Sequence, residues 1–199
     1  MNRRYYAGIG SRERVPSDTL RIMSLLANKL ESEGWILRSG GAKGSDSAFL
    51  SGLRNPRANA EIYLPGRKFN NQIAGSQPHF INYQTLRAAA DARRMVPMYH
   101  AYAASMNPFT YDLMARNAMQ VLGSDLQTPS KLVVAYTPRA ATGWDPRYDP
   151  MNIQNRRQNP DSGGTGQALR IAEVRPDIEI RNLADPVVLA SVKKYLGII

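Results

Sequence analysis

The hydrophobic positions of this chain form short apolar runs that alternate with stretches of helical periodicity. The apolar runs predict strands at 5–9, 35–37, 61–64, 131–136 and 179–183. Helical spacing predicts helices at 17–34, 45–52, 85–95, 108–122, 166–172 and 185–196. Strands that alternate with helices are typical of a parallel α/β sheet. We therefore predict one Rossmann-like domain over residues 1–199, with a parallel sheet flanked by helices.

The ends of these helices carry capping residues. Ser17 is the predicted N-cap of the first helix, and Gly34 is the glycine that ends it. Asp185 is predicted to cap the last helix through its side-chain oxygen. In the helix at 108–122, the spacing of apolar residues places Phe109, Leu113 and Val121 on one face, and Gly123 ends the helix.

Residues 138–162 contain Pro, Gly, Asn, Asp and Arg without periodicity. A loop of this length inside a compact domain is usually functional or disordered. It combines aromatic and basic side chains, among them Trp144, Tyr148, Arg139 and Arg147. We interpret it as a lid over a base and a phosphate, as a surface segment, or as a contact between subunits, and these alternatives stay open. We expect the protein to be a homo-oligomer.

Three glycine-rich turns occupy the predicted boundaries between a strand or loop and the next helix. They comprise Gly8, Gly10, Ser11 and Arg12; then Ser39, Gly40, Gly41, Ala42 and Lys43; and finally Gly163, Gly164, Thr165 and Gly166. Because the carboxyl ends of parallel strands meet at one edge of the sheet, we expect the three turns to lie together. Helix N-termini after such turns favour anions. The turns predict a phosphate-binding site in which Arg12 and Lys43 neutralise negative charge.

The sequence excludes several well-known nucleotide-binding and catalytic sites. None of the turns has the GxGxxG or the Walker A pattern, so we predict neither NAD nor a P-loop nucleotide. His79 and His100 have no partner at the spacing of a metal site or a catalytic triad. We therefore expect no metal, no cofactor and no serine hydrolase.

Asp46 and Glu13 are the candidate catalytic residues, because they are the carboxylates next to the glycine turns. Asp46 is either the N-cap of the helix that follows it or a residue that binds a ribose hydroxyl or orients a base. Glu13 follows Arg12 and is either an exposed loop charge or an acid beside the phosphate. The sequence leaves both pairs of alternatives open.

The chain is strongly basic, since 26 Lys and Arg against 16 Asp and Glu give a formal net charge of +10. This charge indicates either a solvated basic surface or a face that binds polyanions. The sequence contains no cysteine and no apolar run of signal-peptide or membrane-spanning length. We therefore expect a cytoplasmic protein that does not associate with a membrane.

The first two turns resemble those of the SLOG superfamily. The segment YAGIGSRE at 6–13, followed by a helix and by LRSGGAKGSDSAF at 37–49, is similar to the branch that contains the DNA-processing protein DprA. Arg116-Asn117 resembles the RNR segment of that branch, with Ala118 in place of the second Arg. The chain also resembles the small stand-alone members found in phages and bacteria. The resemblance implies a Rossmann-like domain that binds a nucleotide or single-stranded DNA.

A second branch of this superfamily, the Lonely Guy (LOG) enzymes, carries the motif PGGxGTxxE. Its glutamate is needed to cleave the N-glycosidic bond of a nucleoside monophosphate. We match the opening proline with Ser162 and the glutamate with Leu169, which predicts weak or absent LOG-type hydrolysis. We rank binding of a nucleotide-like, phosphate-bearing ligand first. DprA-like binding of single-stranded DNA and hydrolysis by Asp46 or Glu13 are the alternatives.

Overall fold

The computed structural model describes residues 3–100, 102–137 and 163–199, so the long loop predicted at 138–162 lies outside the described residues. The strands are β1 (Arg4–Gly10), β2 (Trp35–Ser39), β3 (Ala60–Leu64), β4 (Lys68–Phe69), β5 (Gln72–Ile73), β6 (Phe80–Asn82), β7 (Leu132–Tyr136) and β8 (Glu179–Asn182). The helices are α1 (Ser17–Ser32), α2 (Ser45–Ser51), α3 (Pro56–Asn59), α4 (Ala89–Tyr99), α5 (Pro108–Leu122), α6 (Gly164–Glu173) and α7 (Pro186–Tyr195).

Six of the strands form one sheet in the order β6-β3-β2-β1-β7-β8. All neighbouring strands in this sheet run parallel, which confirms the predicted Rossmann-like α/β class. The chain adds β2, β3 and β6 on one side of β1, and then crosses to the other side to add β7 and β8. Where the strand order reverses, the connections that follow β1 and β7 diverge and leave a crevice at the carboxyl ends of the strands.

Alternate residues of the central strands pack into two separate hydrophobic cores. In β7, Val133 and Ala135 pack with buried residues of α4, α5 and α6. Val134 and Tyr136 point to the opposite face and pack with buried residues of α1, α2 and α7. This alternation follows from the two-residue repeat of a strand, and it explains why the KLVVAY segment is apolar at consecutive positions.

Helix α5 is buried over most of its length, because residues 113–122 are all inaccessible or nearly so. It packs against α4, α6 and the sheet. Its polar side chains Arg116, Asn117 and Gln120 are therefore buried together with its apolar ones. Polar groups in such a position need hydrogen-bond partners, which makes this helix important for the site described below.

Two predictions about helix ends and faces are wrong. Pro16 rather than Ser17 occupies the N-cap of α1, because the amide of Leu20 already donates to the carbonyl of Pro16 at 3.0 Å. Phe109 is 54% exposed, whereas Leu113 and Val121, predicted on the same face, are buried. It lies in the first turn of α5, before the buried part of the helix begins, and its ring contacts Phe69 at a centroid distance of 6.2 Å.

The helix predicted at 85–95 begins and ends later than expected. Tyr83–Thr85 forms a 3-10 turn, and α4 runs from Ala89 to Tyr99 with Pro97 inside it. The short strands β4, β5 and β6 were not predicted, because two or three residues are too few to show an alternating pattern.

The predictions for two other helix ends agree with the structure. The carboxylate of Asp185 accepts a hydrogen bond of 2.8 Å from the amide of Val187 at the start of α7, so the predicted cap is confirmed. Gly34 follows α1 with a φ of +80°, a left-handed conformation that favours glycine. Among the described residues, no helix has the length and apolar character needed to cross a lipid bilayer.

Candidate functional site

A cavity of about 380 Å³ opens at the carboxyl ends of β1 and β7, where the strand order reverses. Its walls come from the three glycine turns, the middle of α5 and the first turn of α6. The residues predicted from the sequence that line it are Gly10, Ser11, Arg12, Glu13, Ala42, Asp46, Arg116, Asn117, Gly163, Gly164 and Thr165. The three turns therefore lie at one edge of the sheet.

The first turn is held by backbone hydrogen bonds to β7 and to α2. The amide of Ser11 donates to the carbonyl of Tyr136 at 2.9 Å, and the carbonyl of Ser11 accepts from the amide and the hydroxyl of Ser45 at 3.2 and 3.0 Å. Gly44 has a φ of +73°, and a Cβ atom there would lie 2.7 Å from the carbonyl oxygen of Ser11. A glycine at 44 thus lets the first two turns pack against each other.

Asp46 organises the second turn. Its Oδ2 accepts hydrogen bonds of 3.2 Å from the amides of Gly40 and Ala42. Gly44 occupies the N-cap of α2, and Asp46 lies inside the first turn of the helix. The interpretation of Asp46 as the N-cap is therefore wrong, because its carboxylate binds the preceding loop. The amides of Gly40 and Ala42, which the sequence suggested for an anion, are already engaged.

Arg116 reaches the second turn from α5. A Cβ atom on Gly40 would overlap its guanidinium group, so Gly40 allows this close approach. The Nη2 atom lies 4.0 Å from Oδ2 of Asp46, and Nη1 donates to Oδ1 of Asn117 at 2.9 Å. The Nε atom is buried, and it has no hydrogen-bond partner in the described part of the chain. Arg116 lines the cavity, and the residues described around it leave its guanidinium incompletely paired.

Asn117 connects Arg116 to the third turn. Its Nδ2 donates to the carbonyl of Gly164 at 3.1 Å and to Oε1 of Gln167 at 3.0 Å. Gly163 is the N-cap of α6, and as a glycine it offers no side chain to cap this end of the helix. The first hydrogen bond of α6 runs from the amide of Gln167 to the carbonyl of Gly163. The amides before Gln167 therefore have no acceptor within the helix. This end of the helix borders the cavity, which Gly163, Gly164 and Thr165 line.

Burial shifts the pKa values of the two charged residues of the site, Arg116 and Asp46. Burial lowers the pKa of Arg116 to about 10, although the negative charge of Asp46 opposes this shift. Burial also raises the pKa of Asp46, against the opposing effects of Arg116, the two loop amides and Arg12. Neither group is fully compensated by its partner, because their ion pair is long at 4.0 Å. The cavity wall thus favours a ligand that adds hydrogen bonds to this pair.

The remaining predicted residues lie beside the cavity and do not line it. They are Gly8, Ser39, Gly40, Gly41, Lys43 and Gly166. A Cβ atom on Gly8 would lie 2.6 Å from Cγ of Phe49, and the hydroxyl of Ser39 donates to the carbonyl of Gly8 at 2.6 Å. These two residues therefore hold β1, β2 and α2 together. Lys43 is exposed to solvent.

Several lining residues were not predicted from the sequence. They are Ile9, Leu113, Met114, Gln120, Thr137 and Ala168. Gln120 could have been predicted from the sequence, because it lies four residues after Arg116 and therefore on the same side of a helix. Its Nε2 is buried without a hydrogen-bond partner among the described residues. Within the described ranges, no group of three His, Asp or Glu side chains is arranged to hold a metal ion.

The match of Leu169 with the LOG glutamate is wrong by one residue. Counted from Gly163 and Gly164, the ninth position of the motif is Arg170. Leu169 is buried in the core that contains α6, and the Nε of Arg170 donates to the carbonyl of Tyr99 at 2.8 Å. Neither residue lines the cavity or supplies a carboxylate.

The cavity combines a buried guanidinium, a buried carboxylate and the N-terminal end of a helix at the reversal of a parallel sheet. Comparison with protein-family models, with curated proteins and with solved structures finds no match to this chain.

Proposed function

We propose that the cavity binds the phosphate group of a nucleotide or of a small molecule derived from one. The proposal rests on Arg116, which is buried on the cavity wall while its Nε–H donates to no described residue. Leaving a buried donor unpaired costs about 1–3 kcal/mol, and more for a charged group. A phosphate bound against this guanidinium would add acceptors to a charged group that its described neighbours do not fully pair. The planar fork of a guanidinium also matches the oxygens of a phosphate.

Two further features of the cavity favour an anion. Gly164 and Thr165 line it at the start of α6, where the helix dipole favours negative charge. Arg12 adds an exposed cation. The cavity volume of about 380 Å³ also suits a small molecule, since such sites usually enclose roughly 300–1,000 Å³.

We also propose that the chain is a member of the SLOG superfamily, on the basis of its first two turns. Both segments that resemble the family contribute to the cavity. The GSR segment does so through Ser11 and Arg12, and the SGGAKGSD segment through Ala42 and Asp46. The residues that carry the resemblance are thus also residues that line the candidate site.

Binding of single-stranded DNA is the second candidate function, and the net charge of +10 favours it. A positive surface concentrates polyanions whatever the fold beneath it. The same cavity would then hold one phosphate of a strand. The two candidates differ in how many phosphates contact the protein, and salt dependence measures that number.

We propose that binding occurs without cleavage of an N-glycosidic bond. Neither Leu169 nor Arg170 provides the carboxylate that a LOG enzyme uses, and one oxygen of Asp46 is engaged by loop amides. Glu13 lines the cavity as an exposed side chain. Incubation with AMP and chromatography should show no adenine above the enzyme-free blank. Release at ordinary enzyme rates would contradict the proposal.

The experiment that tests binding is a calorimetric titration of AMP and of adenosine into the protein and into the Arg12→Ala variant. We expect AMP to bind and adenosine to bind far more weakly, because only AMP carries the anion. Loss of one exposed cation should weaken AMP binding by about 2- to 10-fold. The melting temperature should stay within about 2 °C, since an exposed arginine contributes little to stability.

Arg21→Ala is the matched control, because Arg21 is an exposed arginine on α1 outside the cavity. It should leave the affinity for AMP unchanged. Equal affinities for AMP and adenosine, or an Arg12→Ala variant that binds AMP as tightly as the wild type, would argue against this phosphate site.

A further inference from the structure

Asp46 presents a free carboxylate oxygen at the cavity. Its Oδ2 receives both loop amides and faces Arg116, whereas Oδ1 makes no hydrogen bond to any residue that the structure describes. The residue lines the cavity although it is only 4% exposed. A carboxylate oxygen in so secluded a residue has little water to bind it and favours a hydrogen-bond donor from a ligand.

A simple anion would form hydrogen bonds with only one of the two charged groups on this side of the cavity. It would pair with the guanidinium of Arg116, which lines the cavity, but it would leave Oδ1 of Asp46 without a donor. It would also be repelled by the Asp46 carboxylate at short range. A ligand with a hydroxyl group beside its phosphate satisfies both groups, because the hydroxyl donates to the carboxylate while the phosphate accepts from the guanidinium.

An ammonium group suits this position less well than a hydroxyl. Arg116 and Arg12 both act electrostatically on Asp46, so two cations already surround the carboxylate. A third positive charge would be repelled by both, whereas a neutral hydroxyl would not.

We propose that Oδ1 of Asp46 accepts a hydrogen bond from a sugar hydroxyl of the ligand, so that the cavity selects hydroxylated phosphate monoesters over simple phosphate. This inference rests on the proposed function and makes it more specific. The pentose phosphate part of a nucleotide has the required chemistry, with hydroxyl groups a few bonds from the phosphate. Asp46 is then a specificity-determining residue of the site.

The test compares ribose 5-phosphate with methyl phosphate, which lacks hydroxyl groups, by calorimetry on the wild type and on Asp46→Asn. The wild type should bind ribose 5-phosphate at least about 10-fold more tightly, as expected for a hydrogen bond to a charged acceptor. Asp46→Asn should reduce this preference at least about 5-fold, because the charged acceptor is lost. Its affinity for methyl phosphate should be equal or higher, since a negative charge beside Arg116 has been removed.

Asp185→Asn is the matched control, because Asp185 caps α7 outside the cavity and asparagine caps a helix equally well. It should leave both affinities unchanged. Should Asp46→Asn fail to fold, the wild type decides the question through its affinities for ribose 5-phosphate, 2-deoxyribose 5-phosphate and methyl phosphate.

Three outcomes would overturn the inference, and they differ in what else they affect. Equal wild-type affinity for the sugar phosphates and for methyl phosphate would reject the role of Asp46 and leave the phosphate site intact. An equal loss of both probes in Asp46→Asn would show that Asp46 only holds the loop in place. If no phosphate ester binds at all, the proposed function fails together with the inference.

Discussion

At the scale of single residues, the site depends on contacts that leave no room for added atoms. Gly40 and Arg116 are 76 positions apart in the chain, yet the guanidinium lies directly against the glycine backbone. The absence of a side chain at 40 therefore determines where the buried cation lies. Position 40 requires glycine because there is no space for a Cβ atom. Gly41 and Gly44 also lack that space, and in addition they have positive φ angles of +66° and +73°, which favour glycine.

The substitution Gly40→Ala should displace the Arg116 guanidinium. We expect a loss of about 1–3 kcal/mol in the free energy of unfolding, as is typical of overpacking. Binding of AMP should weaken by about 10-fold or more, because a charged hydrogen-bond donor leaves its position. Urea unfolding and calorimetry measure the two effects. Gly66→Ala is the control, because the atom nearest to its new Cβ would lie 3.9 Å away. If Gly40→Ala unfolds and binds AMP like the wild type, the close contact between Gly40 and Arg116 does not matter for the site.

Glu173, the last residue of α6, gives stability a dependence on pH. Burial raises its pKa to about 7, although Arg170 acts in the opposite direction. A carboxyl with a raised pKa in the folded state contributes its stability below the unfolded value of about 4.5 and loses it as pH rises to about 7. Glu173→Gln should therefore be more stable than the wild type at pH 8, by roughly 1–3 kcal/mol, and similar to it at pH 4.

Glu31 supplies a control of opposite sign for this measurement. Burial raises its pKa, but hydrogen bonds from Asn59 and from the amides of Arg54 and Asn55 outweigh that effect and lower it overall. Its contribution is present above the unfolded pKa and is lost as pH falls. In urea unfolding, Glu31→Gln should be less stable than the wild type at pH 8. A stability of Glu173→Gln below the wild type at pH 8 would contradict the predicted sign.

At the scale of elements, α5 determines which charges the cavity contains. It is covered on all sides by α4, α6 and the sheet, so a polar side chain on it is held in one position by its neighbours. Arg116 and Gln120 are four residues apart and both line the cavity, as the helical repeat requires. Asn117 points towards α6 and joins the two helices through Gly164 and Gln167.

The substitution Asn117→Ala should therefore loosen the start of α6 as well as Arg116. The substitution removes three hydrogen bonds. Arg116 loses the oxygen to which it donates, and the carbonyl of Gly164 and Oε1 of Gln167 lose the amide group that donates to them. Buried groups left unpaired in this way cost about 1–3 kcal/mol, which lowers the melting temperature by about 2–12 °C in a chain of this length. Calorimetric melting curves give the measurement.

The control for this substitution is Asn55→Ala, since Asn55 is exposed and its side chain caps no helix. Its melting temperature should equal that of the wild type. If Asn117→Ala melts at the wild-type temperature too, the hydrogen bonds between α5 and α6 do not stabilise the site.

At the scale of the whole molecule, the order of the strands places the cavity, and the net charge sets the range of its ligands. The reversal between β1 and β7 puts the ends of two central strands beside α5 and α6. A positive charge of +10 adds a long-range attraction for anions of any size. These two features favour different ligands, a compact phosphate ester in one case and a strand in the other.

Salt dependence separates these two ligands. For a mononucleotide we expect saturable binding with a shallow slope of log K against log salt, near −1 or less in magnitude, because few phosphates are neutralised. A strand that contacts about four to six phosphates would instead give a slope of about −3 to −4. Titration of AMP and of a fluorescent oligonucleotide of about 20 bases at two salt concentrations measures both slopes. Tighter and steeper binding of the oligonucleotide would favour the DNA function, whereas no oligonucleotide binding at low salt would eliminate it.

The fold class and the edge of the sheet that holds the site were predictable from local sequence. Apolar runs of strand length, alternating with helical periodicity, are a property of neighbouring residues, and a parallel sheet follows from their order. The glycine turns follow β1 and β2 and precede α6, so their common edge was predictable by the same reasoning. The strand β6 was not predictable, because it pairs with β3, which lies elsewhere in the chain. The strands β4 and β5 pair locally with each other, but two residues each are too few to show an alternating pattern.

The chemistry of the site was decided by the tertiary structure. Asp46 and Arg116 each had a recognisable sequence context, but their separation of 4.0 Å depends on α5 crossing the second turn. Asp46 accepts hydrogen bonds from the amides of Gly40 and Ala42, so of its two interpretations the structure excludes the helix cap. Sequence periodicity records which face of an element is buried. It does not record which distant polar groups meet there, because that depends on strand order and on the fit of side chains between elements.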